Sequence, residues 1–244
     1  MASKSDTPKS FGLLLYPQFE VLDWAGPIEA LNTLSRKPEY QDMTLSVIAK
    51  TLDPVTPGPI GKDKTSINFT GRQLYLPTHT FETAPVLDVL LVPGGYGSLS
   101  PLPDGSEADL DSTIKFIRKT YEGCDGKPPL RYAMSVCTGA ALFARAGILD
   151  GHRATSNKAA WGAVTPTGPK TYWVAHARWV VSGNIWTTSG VSAGTDGMIA
   201  WMSEIYPQEI VDEVVNGMEY NREPDPDDDP FQKIFNAQDV PPQD

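Results

Sequence analysis

Residues 131–147 read RYAMSVCTGAALFARAG. Residues 131–136 are a short β-forming run, residues 140–146 a helix-forming one, and Cys137 falls on the join between them. Small residues, Ser135 and Gly139, flank the cysteine. This order predicts a strand, a tight turn and a helix, with the sulfur exposed over the sheet edge: a nucleophile elbow. A helix N-terminus directly behind the sulfur favours the thiolate. A free cysteine is also commonly a buried structural residue. At this point both readings stand.

Outward from the elbow, residues 11–16 (FGLLLY) and 89–92 (VLLV) are continuous apolar runs, the pattern of strands covered on both faces. A further strand is expected over 43–49. A loop, PQFEVLDWAG, leads to a helix expected to start at Pro27, a good first-turn residue. Residues 67–69 and 74–76 are expected to pair as a short hairpin around Gly71. Residues 109–121 carry Leu110, Ile114 and Ile117 at amphipathic spacing and predict a helix. Residues 177–181 and 185–188 flank Ser182-Gly183-Asn184, a hairpin signal. Helices over 192–205 and 208–219 follow.

Strands alternating with helices imply an α/β fold with a mostly parallel sheet and helices on both faces. The expected organisation is a disordered N-terminus over 1–10, one α/β domain over 11–221, and an acidic, proline-rich C-terminal tail over 222–244. The tail, REPDPDDDP at its start, reads as mobile and unable to bury itself, with Phe231 and Phe235 as residues to dock it on the body or on a partner.

The chain has 244 residues, 20 basic and 30 acidic, for a net charge of −10. That length suits one sizeable core. The charge balance, with no basic stripe, argues against nucleic-acid binding. Two cysteines, Cys124 and Cys137, make no disulfide framework. No stretch reads as a signal peptide or membrane span, so a cytoplasmic, reducing compartment is expected. Neither a zinc-like Cys/His cluster nor a Walker or GxGxxG loop is present, so no metal site or phosphate-binding loop of those kinds is expected.

Ligands of open α/β sheets bind beyond the carboxyl ends of the strands. Three such ends carry unusual residues: the loop with Glu20 and Asp23, the turn Pro93-Gly94-Gly95, and Cys137-Thr138-Gly139. Asp23 is a candidate to move protons for the thiol, and equally a helix cap. Gly94 and Gly95 present backbone N–H groups to a developing anion, or form a plain tight turn. The Thr138 N–H is a second donor to the same anion. Trp24 and Trp161 are core residues or walls of an apolar pocket.

The segments PQFEVLDWAGPIEAL, LLVPGG, SVCTGAALFARAGILDGHRAT and TTSGVSAGTDGMIAWM resemble the DJ-1/PfpI (ThiJ/PfpI) superfamily, over residues 11–218. The LDxxGP pattern of residues 22–27 is closest to the isocyanide hydratase branch, which has an aspartate here and a Cys-Thr pair at the elbow; other branches use a glutamate. The resemblance implies a flavodoxin-like three-layer sandwich, a homodimer, and a cofactor-free site acting on a small uncharged electrophile. It implies Cys137 as nucleophile and Asp23 as carboxyl partner, with Thr138, Gly94 and Gly95 on the oxyanion side. In the implied reaction an isocyanide is hydrated to an N-substituted formamide through a thioimidate on Cys137.

One departure narrows the chemistry. Relatives with glyoxalase or protease-like activity carry a histidine in a segment like RATTH, where this chain has RATSN and Asn157. None of His79, His152 and His176 falls at that position. A cofactor-independent glyoxalase on the same scaffold remains a rival. So does a non-enzymatic, redox-responsive protein in which Cys137 is reversibly oxidised.

Overall fold

The computed structural model describes residues 7–58, 69–99 and 110–243. Its centre is a seven-stranded sheet of order β3-β2-β1-β4-β5-β9-β8. The inner strands β1 (Ser10–Leu14), β4 (Val89–Val92), β5 (Tyr132–Val136) and β9 (Ile185–Thr188) are buried almost throughout. Their apolar runs have that cause: a strand covered on both faces has no solvent side to keep polar. β2 (Thr44–Ala49) and β3 (His79–Thr80) extend the sheet in parallel beyond β1. β8 (Trp179–Ser182) closes the other edge as the antiparallel hairpin partner of β9. β6 (Arg153–Ala154) and β7 (Tyr172–Trp173) form a small separate pair.

Among the described residues, five helices cover the sheet. α1 (Val21–Ser35) packs on α5 (Ala193–Ile205) and α6 (Gln208–Gly217), and α2 (Asp111–Glu122) packs on α3 (Gly139–Arg145). Short helices α4 (Trp161–Val164) and α7 (Phe231–Ile234) lie in the later connections. The result is the flavodoxin-like three-layer sandwich. Strand order reverses between β1 and β4, and the crevice beyond their carboxyl ends is where such sheets place ligands.

Three expectations are corrected. Helix α1 starts at Val21, so Pro27 is inside it and Asp23 is in its first turn. Burial of Asp23, Ile28, Leu31 and Leu34 along one side outweighs the local cost of an internal proline. Residues 67 and 68 of the expected hairpin lie outside the described residues; Phe69 and residues 70–72 are not a strand, and Tyr75 bridges to Val55 instead. Of the expected disordered N-terminus, residues 1–6 lie outside the described residues. Thr7 is buried, and Lys9 and Ser10 N–H groups both donate to Asp88.

The acidic tail also differs from its expectation of mobility. Arg178 N–H donates to the Pro226 carbonyl at 2.6 Å, and Val240 pairs with Trp173 in an antiparallel bridge. Asp229 is buried against Lys158. Composition alone cannot reveal the partners waiting inside the body: this ion pair and the backbone bonds on either side of it.

Candidate active site

Cys137 follows the last residue of β5 and has φ 59°, a left-handed conformation that side-chain-bearing residues rarely adopt. Neighbouring segments hold it there. Its N–H donates to the carbonyls of Thr188 (3.1 Å) and Ser189 (2.9 Å), and the Ser156 hydroxyl donates to its carbonyl at 2.8 Å. The expected elbow is present. The expected exposure of the sulfur is not: Cys137 is only 6% accessible.

That burial reverses the electrostatic expectation as well. Loss of hydration pushes the thiol well above its ordinary pKa, and the nearby Asp23 and Glu20 carboxylates push the same way. The Thr138 N–H and the Asn157 side chain, both hydrogen-bonding toward the sulfur, oppose the shift without cancelling it. The helix start behind Cys137 is too weak to win against desolvation. At neutral pH the resting group is the thiol.

Asp23 lies fully buried beside it. Burial raises its pKa from 3.8 to about 8, against the lowering effect of the Gly94 N–H bond. That N–H donates to Oδ2 at 2.7 Å. The thiol and carboxyl group lie within weak hydrogen-bonding range, which also lowers the Asp23 pKa, yet no well-formed bond closes between them. Oδ1 is buried without a partner. Asp23 makes no capping bond to the helix start.

Gly94 and Gly95 are close to this pair but have different tasks from the expected one. The Gly94 N–H is engaged by Asp23, and the Gly95 N–H donates to Thr138 Oγ1 at 2.9 Å. Neither is a free donor to a substrate anion. A Cβ on Gly94 would come within 2.5 Å of the Thr138 nitrogen and 2.9 Å of Asp23 Oδ2, which is why this position has no side chain. Gly95 has φ 122°, open to glycine alone. Ser98 Oγ lies 2.7 Å from both Thr138 Oγ1 and the Gly95 carbonyl, completing a clasp between the β4 and β5 ends. The Thr138 N–H and the Asn157 amide are the donors that face the sulfur. Asn157 Oδ1 is occupied by the Ala160 N–H at 3.0 Å, which leaves its Nδ2 for the site.

The two tryptophans separate. Trp24 is half-buried, stands edge-on to Tyr75 at 5.4 Å, and keeps its indole N–H buried without a partner. Trp161 donates to the Gln238 carbonyl at 2.9 Å and packs edge-on against Trp173. It braces the C-terminal segment. His152 is half-buried and bonded to Ser182, away from the thiol. A cavity of about 600 Å³ runs between Phe81, Leu87 and Phe116, with Cys124 and Lys127 at its rim; none of the site residues lines it.

Two neighbours of the thiol were not legible as such. Tyr16, at the end of the first apolar run, donates to the Pro93 carbonyl at 2.6 Å; burial, Asp23 and Cys137 all hold its phenol protonated. Lys158 follows Asn157 and points inward, fully buried. A tyrosine ending a core strand and a lysine in a polar loop carry no signal of this in sequence.

The model of the DJ-1/PfpI family matches residues 9–208. The chain belongs to the DJ-1/PfpI family. Over 209 residues this family member is 34% identical to the isonitrile hydratase of Pseudomonas putida, covering 86% of the chain and 77% of that protein. A ThiJ/PfpI family protein from Pseudomonas syringae is 26% identical, with a TM-score of 0.66 over 88% of this chain and 77% of that one. Drosophila melanogaster DJ-1beta shares the fold at 20% identity and a TM-score of 0.62, over 87% and 98% of the two chains. Among the described residues no group of acidic, histidine and cysteine side chains could hold a metal, and no helix is long and apolar enough to cross a membrane.

Proposed function

We propose that this protein hydrates organic isocyanides to N-substituted formamides, with Cys137 as nucleophile and Asp23 as the group that moves the proton. The observation that carries this reading is the pairing of a buried neutral thiol with a carboxyl group whose pKa is raised to about 8. Such a carboxyl group gives up and regains a proton near neutral pH, as a general acid and base must. The 34% identity to an isonitrile hydratase supports the same chemistry.

The steps balance as follows. Asp23 carboxylate takes the thiol proton as sulfur bonds to the terminal carbon of the isocyanide, and returns that proton to the same carbon. The product is a thioimidate, R–N=CH–S–Cys137. Asp23 then takes a proton from water as its oxygen adds to the carbon, and passes that proton to the imine nitrogen, leaving the hydroxyl proton of the adduct for the sulfur. Expulsion of the Cys137 sulfur, reprotonated to the thiol, releases R–NH–CHO. The nearly closed site fits a slim, uncharged group entering end-on, since a charged substrate would lose its hydration there. Thr138 N–H and Asn157 Nδ2 would steady the sulfur as negative charge develops.

The redox-responsive rival fares worse on the same facts, because oxidation follows thiolate character and exposure and Cys137 has little of either. Exposed apolar side chains at Leu22, Leu74 and Leu76 offer surface for the second copy of a cytoplasmic homodimer. The test is formamide formation from an alkyl or aryl isocyanide, followed with purified protein. Turnover by the wild type and none by Cys137→Ala is expected; no turnover by the wild type rejects the reading.

A further inference from the structure

Lys158 and Asp229 form a buried ion pair that the chemistry above does not use. Nζ lies 3.1 Å from Asp229 Oδ2, with the two side chains 0% and 1% exposed. Nζ also lies 2.8 Å from Thr155 Oγ1, 3.0 Å from the Ser156 carbonyl, 2.9 Å from the Ala177 carbonyl and 3.0 Å from Ser189 Oγ. Five oxygens around three N–H groups saturate the cation. Stability is a weak reason to keep such a pair, because desolvation offsets most of its attraction.

Its location gives a better reason. Ser156 and Ser189, both tied to this ammonium group, are the residues that grip the Cys137 carbonyl and N–H. Burial lowers the Lys158 ammonium group to a pKa of about 8, with Asp229 and, last, the ionised form of Cys137 pulling it back up. The other ionisable groups acting on that sulfur are Asp23 and Glu20 from the start of α1 and Tyr16 from beyond β1. Of these, only Lys158 is a cation.

Asp229 comes from the C-terminal segment, which is tied down on both sides of it. Glu223 N–H donates to Asp196, and Arg178 N–H to the Pro226 carbonyl. Beyond Asp229, the Gln238 carbonyl accepts from Trp161, and Asp239 accepts the Ala175 N–H at 2.8 Å.

We propose that Lys158, fastened by Asp229 of the C-terminal segment, is a positioning residue for Cys137, fixing the segments that grip the elbow and setting a positive charge behind the sulfur. The inference rests on the reading of Cys137 as the nucleophile, and not on the identity of the electrophile.

Alkylation of Cys137 by iodoacetamide, followed by peptide mass spectrometry across a pH series, reads the thiolate fraction with no isocyanide present. The double variant Lys158→Met/Asp229→Leu removes both charges at once and leaves no unpaired buried ion. It is expected to fold, to be alkylated about tenfold more slowly at pH 8, and to have its pH profile moved up by about one unit. Asp229→Asn should move the profile the same way by less, because Lys158 without its counter-ion sheds its proton sooner. A folded double variant with the wild-type profile overturns the proposal; if that variant does not fold, an unmoved profile in Asp229→Asn does. Absent isocyanide turnover with the alkylation shift intact would fault the substrate reading and leave this one standing.

Discussion

Gly94 holds one oxygen of Asp23 by a 2.7 Å hydrogen bond, while the other oxygen of that carboxyl group is buried with no partner. The residue is thus half satisfied in the folded protein, a costly state for an anion. Its raised pKa sets the direction. Between about pH 4 and 8 the folded state binds more protons at Asp23 than the unfolded state, so stability falls as pH rises through that window. Asp23→Asn removes the penalty. The variant should match the wild type near pH 4 and exceed it by on the order of 2–4 kcal/mol at pH 8, as read by thermal or urea unfolding. Equal pH dependence in the two proteins would contradict the burial argument.

The same carboxyl group should govern the rate. With Asp23 as the base that accepts the thiol proton, kcat/KM for isocyanide hydration rises with pH along a limb centred near 8. Asp23→Asn should lose that limb and roughly 10²–10⁴-fold in rate. A limb that survives the substitution assigns the ionisation elsewhere.

Gly94→Ala tests the clasp. The new methyl group meets the Thr138 nitrogen and the Asp23 carboxylate, so the turn must shift by several tenths of an ångström. We expect a cost of about 1–3 kcal/mol in stability. Because Asp23 moves with the turn, hydratase activity should fall more steeply than the melting temperature accounts for. Wild-type kinetics in Gly94→Ala would show that the contact is not needed.

Asp229→Ala leaves Lys158 buried with its counter-ion gone, so that it must either stay charged and unpaired or give up its proton. Breaking one side of a buried pair costs about 3–5 kcal/mol, and chemical denaturation measures it. Substitution of the neighbouring, exposed Asp227 or Asp228 should change stability by less than about 0.5 kcal/mol. The contrast separates a single anchoring residue from a merely acidic tail.

Much of this architecture was readable in the chain, for identifiable reasons. The runs at 11–16 and 89–92 are apolar without alternation because both faces of those strands are covered, and the Cys137 turn is marked by the small residues around it. Asp23 was legible through its motif, but its placement was not. A proline normally opens a helix, and only tertiary packing explains one that begins six residues earlier. The thiol's state was misjudged because local sequence reports the helix start and is blind to how deeply the elbow is buried. Lys158 and Asp229 were missed for a related reason: each looks like a solvated surface charge until the other is brought to it.

Several contacts that make the site are distant in sequence. Gly94 and Asp23 are 71 residues apart, Gly95 and Thr138 are 43 apart, and Ser189 meets Asp229 across 40. Each requires a large loop to close before it returns any stabilisation, so these contacts form slowly. Before closure, Cys137 is an ordinary hydrated thiol with no carboxyl group beside it. The juxtaposition of thiol and carboxyl group is therefore made by folding itself. An unfolded or nascent chain lacks the assembled pair, and no peptide carrying only the elbow reproduces it.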